Sequence, residues 1–170
     1  MSNLSTRAGN IRKFEIYQAK DGGGFVDASG AVTDIKYYED ILSNSISLNV
    51  IITETGESDS KTLGNKGMLD GLPIRGGNRG EIVIEDHDGN KLSFTGDKAL
   101  YANRIRNVIP GTQKDVYALD FSSREFLANE QCRVVKRYDG KISENVKKIL
   151  TEATSAEVGL KTQKKITVDE

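Results

Sequence analysis

The feature that most constrains this chain is an alternation of apolar and polar residues typical of β-strands. Apolar residues stand at Ile46, Leu48, Val50 and Ile52, and the intervening positions are mostly polar. Because successive side chains of a strand point to opposite faces of a sheet, this spacing predicts a strand with one buried face. Ile51 departs from the alternation, so we expect the second face to be partly covered by a contact.

Similar patterns predict further strands along the chain. A strand over 81–85, a polar turn at Asp86-His87-Asp88-Gly89-Asn90 and a strand over 91–95 follow one another in the order of a β-hairpin. Pro110-Gly111 suits the middle of a type II turn between two later strands. The remaining predicted strands bring the total to about seven: 14–16, Val32–Tyr38, 45–53, Leu100–Ile109 and 116–122.

Helical spacing is found only toward the C-terminus. Ser122 or Ser123 suits the N-cap of a short helix over 124–128, and Ser143 suits the N-cap of a longer one. The apolar face of the longer helix would consist of Val146, Ile149, Leu150 and Ala153. Between the two helices, Val134-Val135 indicates a short strand.

Antiparallel strands followed by helices predict a mainly β, α+β fold. We expect an antiparallel β-barrel or sandwich with two late helices. The predicted organisation is a β domain over 1–122 with a long loop at 54–80, a helical extension over 123–155 and a C-terminal tail over 156–170.

The predicted loop at 54–80 is rich in glycine and breaks the strand pattern. Loops longer than about 15 residues are uncommon unless they have a function, and we expect this one to contact a partner. Arg104 and Arg106 share one face of a predicted strand, which is either a solvated face or one that lines a channel or a subunit contact. The candidate contact residues are Ile51, Leu63, Met68, Leu69, Leu72, Arg104 and Arg106.

The composition excludes several classes of function. The chain has 24 Lys and Arg against 25 Asp and Glu, a net charge of −1, so it has no overall attraction to nucleic acid. Cys132 is its single cysteine, which excludes an internal disulfide framework. Neither a signal peptide nor a stretch of roughly 18 apolar residues is recognisable, so we expect no membrane association and assembly in the cytosol.

The residue types that carry catalysis or bind metal are sparse. His87 is the single histidine and lies between Asp86 and Asp88, where a tight turn explains all three residues. The oxygens there lack the spacing of a calcium loop. Glycine-rich stretches at 22–24 and 76–80 lead into predicted strands, whereas a phosphate cradle begins a helix. We expect no catalytic, cofactor-binding or metal-binding residues.

Two segments are informative about family. The sequence reads SSREFLANE over 122–130 and VVKRYDGKISENVKKIL over 134–150. Together with strand segments at 32–35, 45–53, 80–84, 92–96 and 117–121, they resemble the baseplate hub protein of phages with contractile tails, particularly hub proteins of cyanophages. The resemblance covers about 11–153 and rests on a pattern of strands and a helix pair, without a catalytic signature.

The resemblance implies a structural protein of the virion, assembled in the host cytoplasm. Such hub proteins are similar to tail-tube subunits and form trimers whose two barrels per chain imitate a six-fold ring. This chain is much shorter than the family, so it is either a truncated hub or a compact relative, and a hexamer is the alternative to a trimer. The implied partners are further copies of itself, the tail tube protein, the spike and baseplate wedge proteins, with DNA passing through the lumen.

Two other functions remain open from the sequence. One is a non-catalytic β-barrel module that recognises a glycan or a protein through the 54–80 loop. The other is an enzyme, in which a histidine-assisted serine or cysteine nucleophile would have to use His87, because it is the single histidine.

The enzyme alternative can be tested by replacing that histidine. We expect His87→Ala to leave the fold and the function of the protein intact, because a turn position tolerates alanine when its neighbours supply the turn chemistry. Circular dichroism and an assembly assay measure the outcome. Loss of an activity with the fold preserved would contradict the structural interpretation.

Overall fold

The computed structural model describes residues 9–18, 24–54, 66–72, 74–112, 114–131, 137–151 and 166–167. Short 3₁₀ turns occur at Ser29–Ala31 and Gly96–Lys98. The strands are β1 (Asn10–Tyr17), β2 (Phe25–Asp27), β3 (Val32–Tyr38), β4 (Ser47–Glu54), β5 (Arg79–Glu85), β6 (Lys91–Phe94), β7 (Leu100–Ile109) and β8 (Asp115–Ser122). The helices are α1 (Met68–Gly71), α2 (Arg124–Gln131) and α3 (Ile142–Thr151).

The strands form one eight-stranded antiparallel sheet in the order β2-β1-β5-β7-β8-β4-β3, with β6 paired to β5. β8 lies between β7 and β4, and its pairing with β4 extends from Ser47 opposite Ser122 to Glu54 opposite Asp115. The prediction of a mainly β, α+β fold is therefore confirmed.

The alternation in the sequence divides the sheet into an inner and an outer face. Leu48, Val50 and Ile52 of β4 are fully buried, as are Leu119 and Phe121 of β8, which lie opposite β4 residues of the same face. Residues that pair directly across antiparallel strands point to the same side, so each strand adds its apolar set to one common core.

The sheet folds over so that its two halves enclose that core. The rings of Phe14 on β1 and Phe121 on β8 meet edge to face at 5.7 Å, although β5 and β7 separate these strands in the sheet. Tyr37 on β3 and Phe94 on β6 make a second contact between the halves, at 5.5 Å. Aromatic rings bury a large apolar area, so these pairs hold the halves together.

The fold-over occurs where β5 changes partners. Arg79 and Gly80 pair with β7, and from Ile82 onward β5 pairs with β6 instead. A Cβ atom on Gly80 would lie 2.7 Å from the ring of Phe121, so only glycine allows the strand to approach this closely.

The sheet is not closed into a barrel. The short β2 and the longer β3 end the sheet, and within the described ranges neither pairs with the other. β6 has four residues and, among the residues that the structure describes, pairs with β5 alone, so it does not bridge the gap to β3. Of the two expected architectures, the folded-over sheet is nearer to the sandwich.

Several local predictions differ from the structure. Ser123 caps α2 by accepting the Phe126 N–H, as predicted, but α3 begins at Ile142, so Ser143 lies inside the helix. Gly111 lacks the positive φ of a type II turn, and the carboxylate of Asp115 accepts its N–H instead. β2 was not predicted, because three residues give no periodicity. Val134-Val135, Ala153 and the 156–170 tail lie mainly or wholly outside the described residues.

The close approach at Gly80 predicts a measurable effect on stability. Gly80→Ala should lower the free energy of unfolding by about 1–3 kcal/mol, because the added methyl group forces Phe121 or the β5 backbone to move. Gly30→Ala is the matched control, since its Cβ would meet nothing within 4 Å. Chemical denaturation measures both variants, and equal effects would contradict this account of the corner.

Candidate partner-binding surfaces

Three predicted contact residues meet on the outer face of the sheet. Arg104 and Arg106 on β7 both point outward and are exposed, and Ile51 on β4 points to the same side. Together with α2 they border an open groove of about 870 Å³, which we call the outer groove. Its lining includes Lys36, Asn49, Ile51, Arg104, Arg106, Asp120 and Phe126.

A polar network crosses the floor of the outer groove. The guanidinium of Arg106 binds Asp120 through two contacts, Nε to Oδ2 at 2.7 Å and Nη2 to Oδ1 at 2.8 Å. The side-chain amide of Asn49 donates to the same Oδ1 at 2.7 Å. The hydrogen bond and charge of Asp120 raise the pKa of Arg106. The network links β7, β8 and β4, and it orients the Arg106 side chain.

β7 is irregular where it borders the outer groove. The register with β8 shifts between Ala102 and Arg104 and again between Arg106 and Ile109. Asn107 lies at the second shift with a φ of +52°, a left-handed conformation that asparagine tolerates better than most residues. The strand beyond it exposes 51% of Val108 and 62% of Ile109. The bulges therefore end the buried part of β7 and leave an apolar tip exposed.

The apolar residues predicted as contacts within the 54–80 loop have other positions. Met68 and Leu72 are buried in the chain's own core, and Leu69 is half-buried against it. Packing within the chain therefore accounts for the apolar character of these three residues, and no partner contact is needed to explain it. Leu63 lies outside the described residues.

The side chain of Glu54 anchors the start of α1. Its Oε2 accepts the Met68 N–H at 2.8 Å, which fixes Met68, near the middle of the 54–80 segment, against the end of β4. Tyr117 on β8 lies beside this carboxylate, and burial, followed by the nearby charge of Glu54, raises the pKa of the phenol well above its ordinary value. Tyr117 is fully buried, so we interpret this contact as structural.

The connection between β3 and β4 displays two large apolar side chains. Ile41 is 98% exposed and Leu42 is 91% exposed. We call residues 39–46 the tip loop. A sequence signal for the tip loop exists, because Ile41-Leu42 stands alone between polar residues, but periodicity does not distinguish an exposed apolar pair from a buried one.

The conformation of the tip loop is fixed by hydrogen bonds. The Asp40 carboxylate accepts the Leu42 N–H at 2.8 Å, and the Asp40 carbonyl accepts the Ser43 N–H at 3.0 Å. The hydroxyl groups of Ser45 and Ser123 lie 3.2 Å apart, which links the loop to the start of α2. The loop therefore holds Ile41 and Leu42 in solvent on an ordered turn.

A mostly apolar pocket opens at the same end of the molecule. It has a volume of about 340 Å³, and we call it the end pocket. Ile46, Ser123 and Glu125 border both the end pocket and the cleft beside the tip loop. The apolar lining of the end pocket includes Leu92, Phe94, Ala99 and Leu100.

A cluster of charged residues covers the outer face of β1 and β5. Glu81 is buried, and its carboxylate binds Lys13 at 2.8 Å, Arg79, and the N–H of Gly96 at 3.2 Å. The guanidinium of Arg79 lies over the ring of Tyr17, 4.4 Å from its centroid. These contacts pair the buried charge, and the strand pattern alone did not predict them.

The cluster shifts the ionisation of its members. Burial by itself raises the pKa of Glu81, but the hydrogen bonds from Lys13 and Gly96 and the charge of Arg79 outweigh it and hold the pKa below its usual value. Hydrogen bonds to Glu81 and then Glu15 raise the pKa of Lys13. The contacts therefore favour the ionised carboxylate of Glu81 and the protonated ammonium group of Lys13.

The other sequence candidates occupy turns. His87 lies in the β5–β6 turn, where the Asp86 carboxylate accepts the N–H groups of Asp88 and Asn90. Gly76 and Gly77 form a turn that leads into β5, so this stretch precedes a strand as predicted. In the described part of the chain, no group of three or more His, Cys, Asp or Glu side chains is arranged to hold a metal ion.

None of the helices in the described ranges is long and apolar enough to cross a membrane. Comparison of the chain with known protein families gives no match, and comparison with curated proteins gives none either.

The Glu81 cluster predicts a pH-dependent contribution to stability. Because its pKa is lowered on folding, the contribution is complete above the ordinary carboxyl pKa of about 4.3 and is lost as the pH falls through the lowered value. Glu81→Gln should reduce the free energy of unfolding by about 1–3 kcal/mol at neutral pH, and by progressively less in acid.

Urea denaturation between neutral pH and pH 3 measures this difference. Glu144→Gln on α3 is the control, because Glu144 is exposed and should show little effect at any pH. If the loss in free energy of unfolding caused by Glu81→Gln stays constant down to pH 3, the role given to the cluster is contradicted.

Proposed function

We propose that this chain is a structural subunit of a contractile phage tail, acting in the baseplate hub or in a tube-like ring. In that position it joins the tail tube to the central spike and surrounds the DNA channel. The proposal rests on the resemblance of 122–130 and 134–150 to hub proteins, and on surfaces of the folded chain that suit assembly.

The observation that carries the proposal is the display of apolar side chains at the ends of hairpins. Ile41 and Leu42 lie almost entirely in solvent, and Val108 and Ile109 are more than half exposed at the end of β7. Scattered exposed apolar residues are ordinary, but adjacent pairs displayed at the ends of hairpins are typical of surfaces that become buried on assembly.

The sheet offers a further surface for assembly. β3 spans seven residues at one end of the sheet and pairs with β4 only, within the described ranges. Its free edge presents unpaired backbone groups that a strand from another chain could complete. A ring subunit needs such edges and loops on its flanks, whereas a monomeric binding module has no need of them.

The groups of the outer groove also suit a structural role. Asp120 is already bound to Arg106 and Asn49, so its carboxylate is occupied by neighbours. Arg104 is exposed on the same face, where a carboxylate of a neighbouring subunit could bind it bidentately. With a net charge of −1, the chain also suits a channel wall that lets DNA pass without holding it.

The proposal predicts self-association of the purified chain. Mass photometry and negative-stain microscopy at increasing concentration should detect trimers or hexamers, with ring-shaped particles around a central opening. High salt should weaken contacts that depend on exposed charges more than contacts that depend on apolar residues.

A chain that stays monomeric at its highest soluble concentration and binds a cell-wall glycan would contradict this function and favour the alternative binding module. Binding to immobilised glycans, measured alongside, separates the two results. Denatured protein serves as the control for nonspecific adhesion to the glycan surface.

A further inference from the structure

The edge of the sheet formed by β3 is long and regular. β3 spans seven residues, contains neither proline nor glycine, and pairs with β4 alone among the residues that the structure describes. Its bulge lies at the start of the strand, between Val32 and Asp34, and from Asp34 to Tyr38 the register with β4 is unbroken. Every second residue of such a strand directs its backbone N–H and C=O groups away from its neighbour. The edge can therefore accept another strand.

The outer face of β3 carries one charge of each sign, two residues apart. Asp34 and Lys36 both point to this face, and Lys36 Nζ lies 3.3 Å from Asp34 Oδ2. The Asp34 side chain is 43% exposed and that of Lys36 is 53% exposed, so each can bind a second partner. Ile35 lies between them on the inner face, partly buried against the core. An acidic, an apolar and a basic residue thus follow one another along the edge.

This order of charges is complementary to itself when two copies of β3 run antiparallel. In a pair with its two-fold axis at Ile35, Asp34 of each copy lies directly opposite Lys36 of the other. Moving the register by two residues places either Asp34 opposite Asp34 or Lys36 opposite Lys36, and like charges in direct opposition are destabilising. Moving it by one residue turns the core face of one strand to solvent. Charge and burial together therefore select one antiparallel register.

The acidic residues that follow β3 lie outside this pairing. Glu39 and Asp40 would stand opposite Ala31 and Gly30 of the other copy, which are uncharged. Glu39 would be three residues, or roughly 10 Å, from Asp34 of that copy, which is about one Debye length at 0.1 M salt. Repulsion at the ends of the pair is therefore weak beside the two direct attractions at its centre.

The inner face of β3 gains apolar contacts in the same register. The Ile35 side chains of the two copies lie opposite each other at the two-fold axis, with Tyr37 on either side of them. In the single chain both residues pack against the core but are only partly buried. A second β3 covers their remaining exposed surface, so hydrophobic burial adds to the backbone hydrogen bonds of the new strand pair.

We propose that two copies of this chain pair through β3, antiparallel and about a two-fold axis at Ile35, so that their sheets join into one. The inference goes beyond the proposed function. A ring that joins a tube to a spike relates its copies by rotation about the ring axis, whereas this contact needs a two-fold axis of its own. The pair is therefore a state of the free chain, in which it covers an edge that is otherwise open to strands of other chains.

Charge reversal tests the register of the pair. Asp34→Lys and Lys36→Asp each place like charges opposite one another at two points, so each variant alone should dimerise about 10-fold more weakly than the wild type. An equimolar mixture of the two variants should form heterodimers in which both opposite pairs attract. The double variant Asp34→Lys/Lys36→Asp should recover dimerisation. Sedimentation velocity measures the dissociation constants.

A matched control makes the same change of charge away from the edge. Glu144→Lys on the exposed surface of α3 should leave the dissociation constant of the pair unchanged. Because Asp34 and Lys36 are exposed in the single chain, their variants should keep the circular dichroism spectrum and melting temperature of the wild type. Weaker dimerisation with an unchanged spectrum therefore reports on the contact and not on folding.

Cross-linking tests the same register by geometry. Chains that carry Cys132→Ser to remove the native thiol, and either Asp34→Cys or Lys36→Cys, should form a disulfide when mixed under mild oxidation. Positions 34 and 36 of different copies lie directly opposite, at a Cα separation of roughly 4.5–5.5 Å. Position 34 of one copy is diagonal to position 34 of the other, at about 7–8 Å, so either chain alone should cross-link poorly.

The results separate this inference from the proposed function. Dissociation constants that are unchanged by both charge reversals, or cross-links that form equally well between identical chains, would overturn the β3 pair and leave the ring function standing. Charge-dependent dimers with the mixed cross-link, from a chain that never forms rings, would support the pair and contradict the ring. A wild-type chain that stays monomeric and forms no mixed cross-link would overturn both.

Discussion

The architecture depends on the close approach of Gly80 to the ring of Phe121. At this point β5 leaves β7 and continues along β6, so the sheet can fold over and bring β1 across the core to β8. A side chain at position 80 would occupy the space of the ring. Because the core lies between the two halves, this close approach helps to set how far apart the inner faces of β5 and β8 lie.

The outer face of the sheet has two regions that differ in how their charges are paired. Over β1 and β5, Lys13, Arg79 and a backbone N–H bind the buried carboxylate of Glu81, so the charge of this carboxylate is paired within the chain. Over β7, β8 and β4, Arg106 and Asp120 form an open groove with exposed cations at its border. One region of the outer face therefore has its charged groups paired within the chain, and the other leaves cations exposed.

Hairpin ends provide the features that point to assembly. The tip loop carries apolar residues without burying them, and ordered backbone hydrogen bonds reduce the entropy lost when such a loop docks. The end pocket beside it is formed by strands and the first turn of α2, so its shape depends on the folded core. Ile46 and the first turn of α2 border both the end pocket and the cleft beside the tip loop, whereas the apolar lining of the end pocket comes from β6, β7 and the residues between them.

The sequence by itself determined the strands apart from the short β2, because a two-residue period is a local property: the predicted bounds of Val32–Tyr38 and Leu100–Ile109 are those observed. It also determined the turn at Asp86 and the cap at Ser123, whose hydrogen bonds join near neighbours. Only the tertiary structure decided that Met68 and Leu72 are core while Ile41 and Leu42 are exposed, since burial depends on which distant residues are nearby. For the same reason, contacts between strands far apart in sequence decided the corner at Gly80 and the pairing of Glu81 with Lys13.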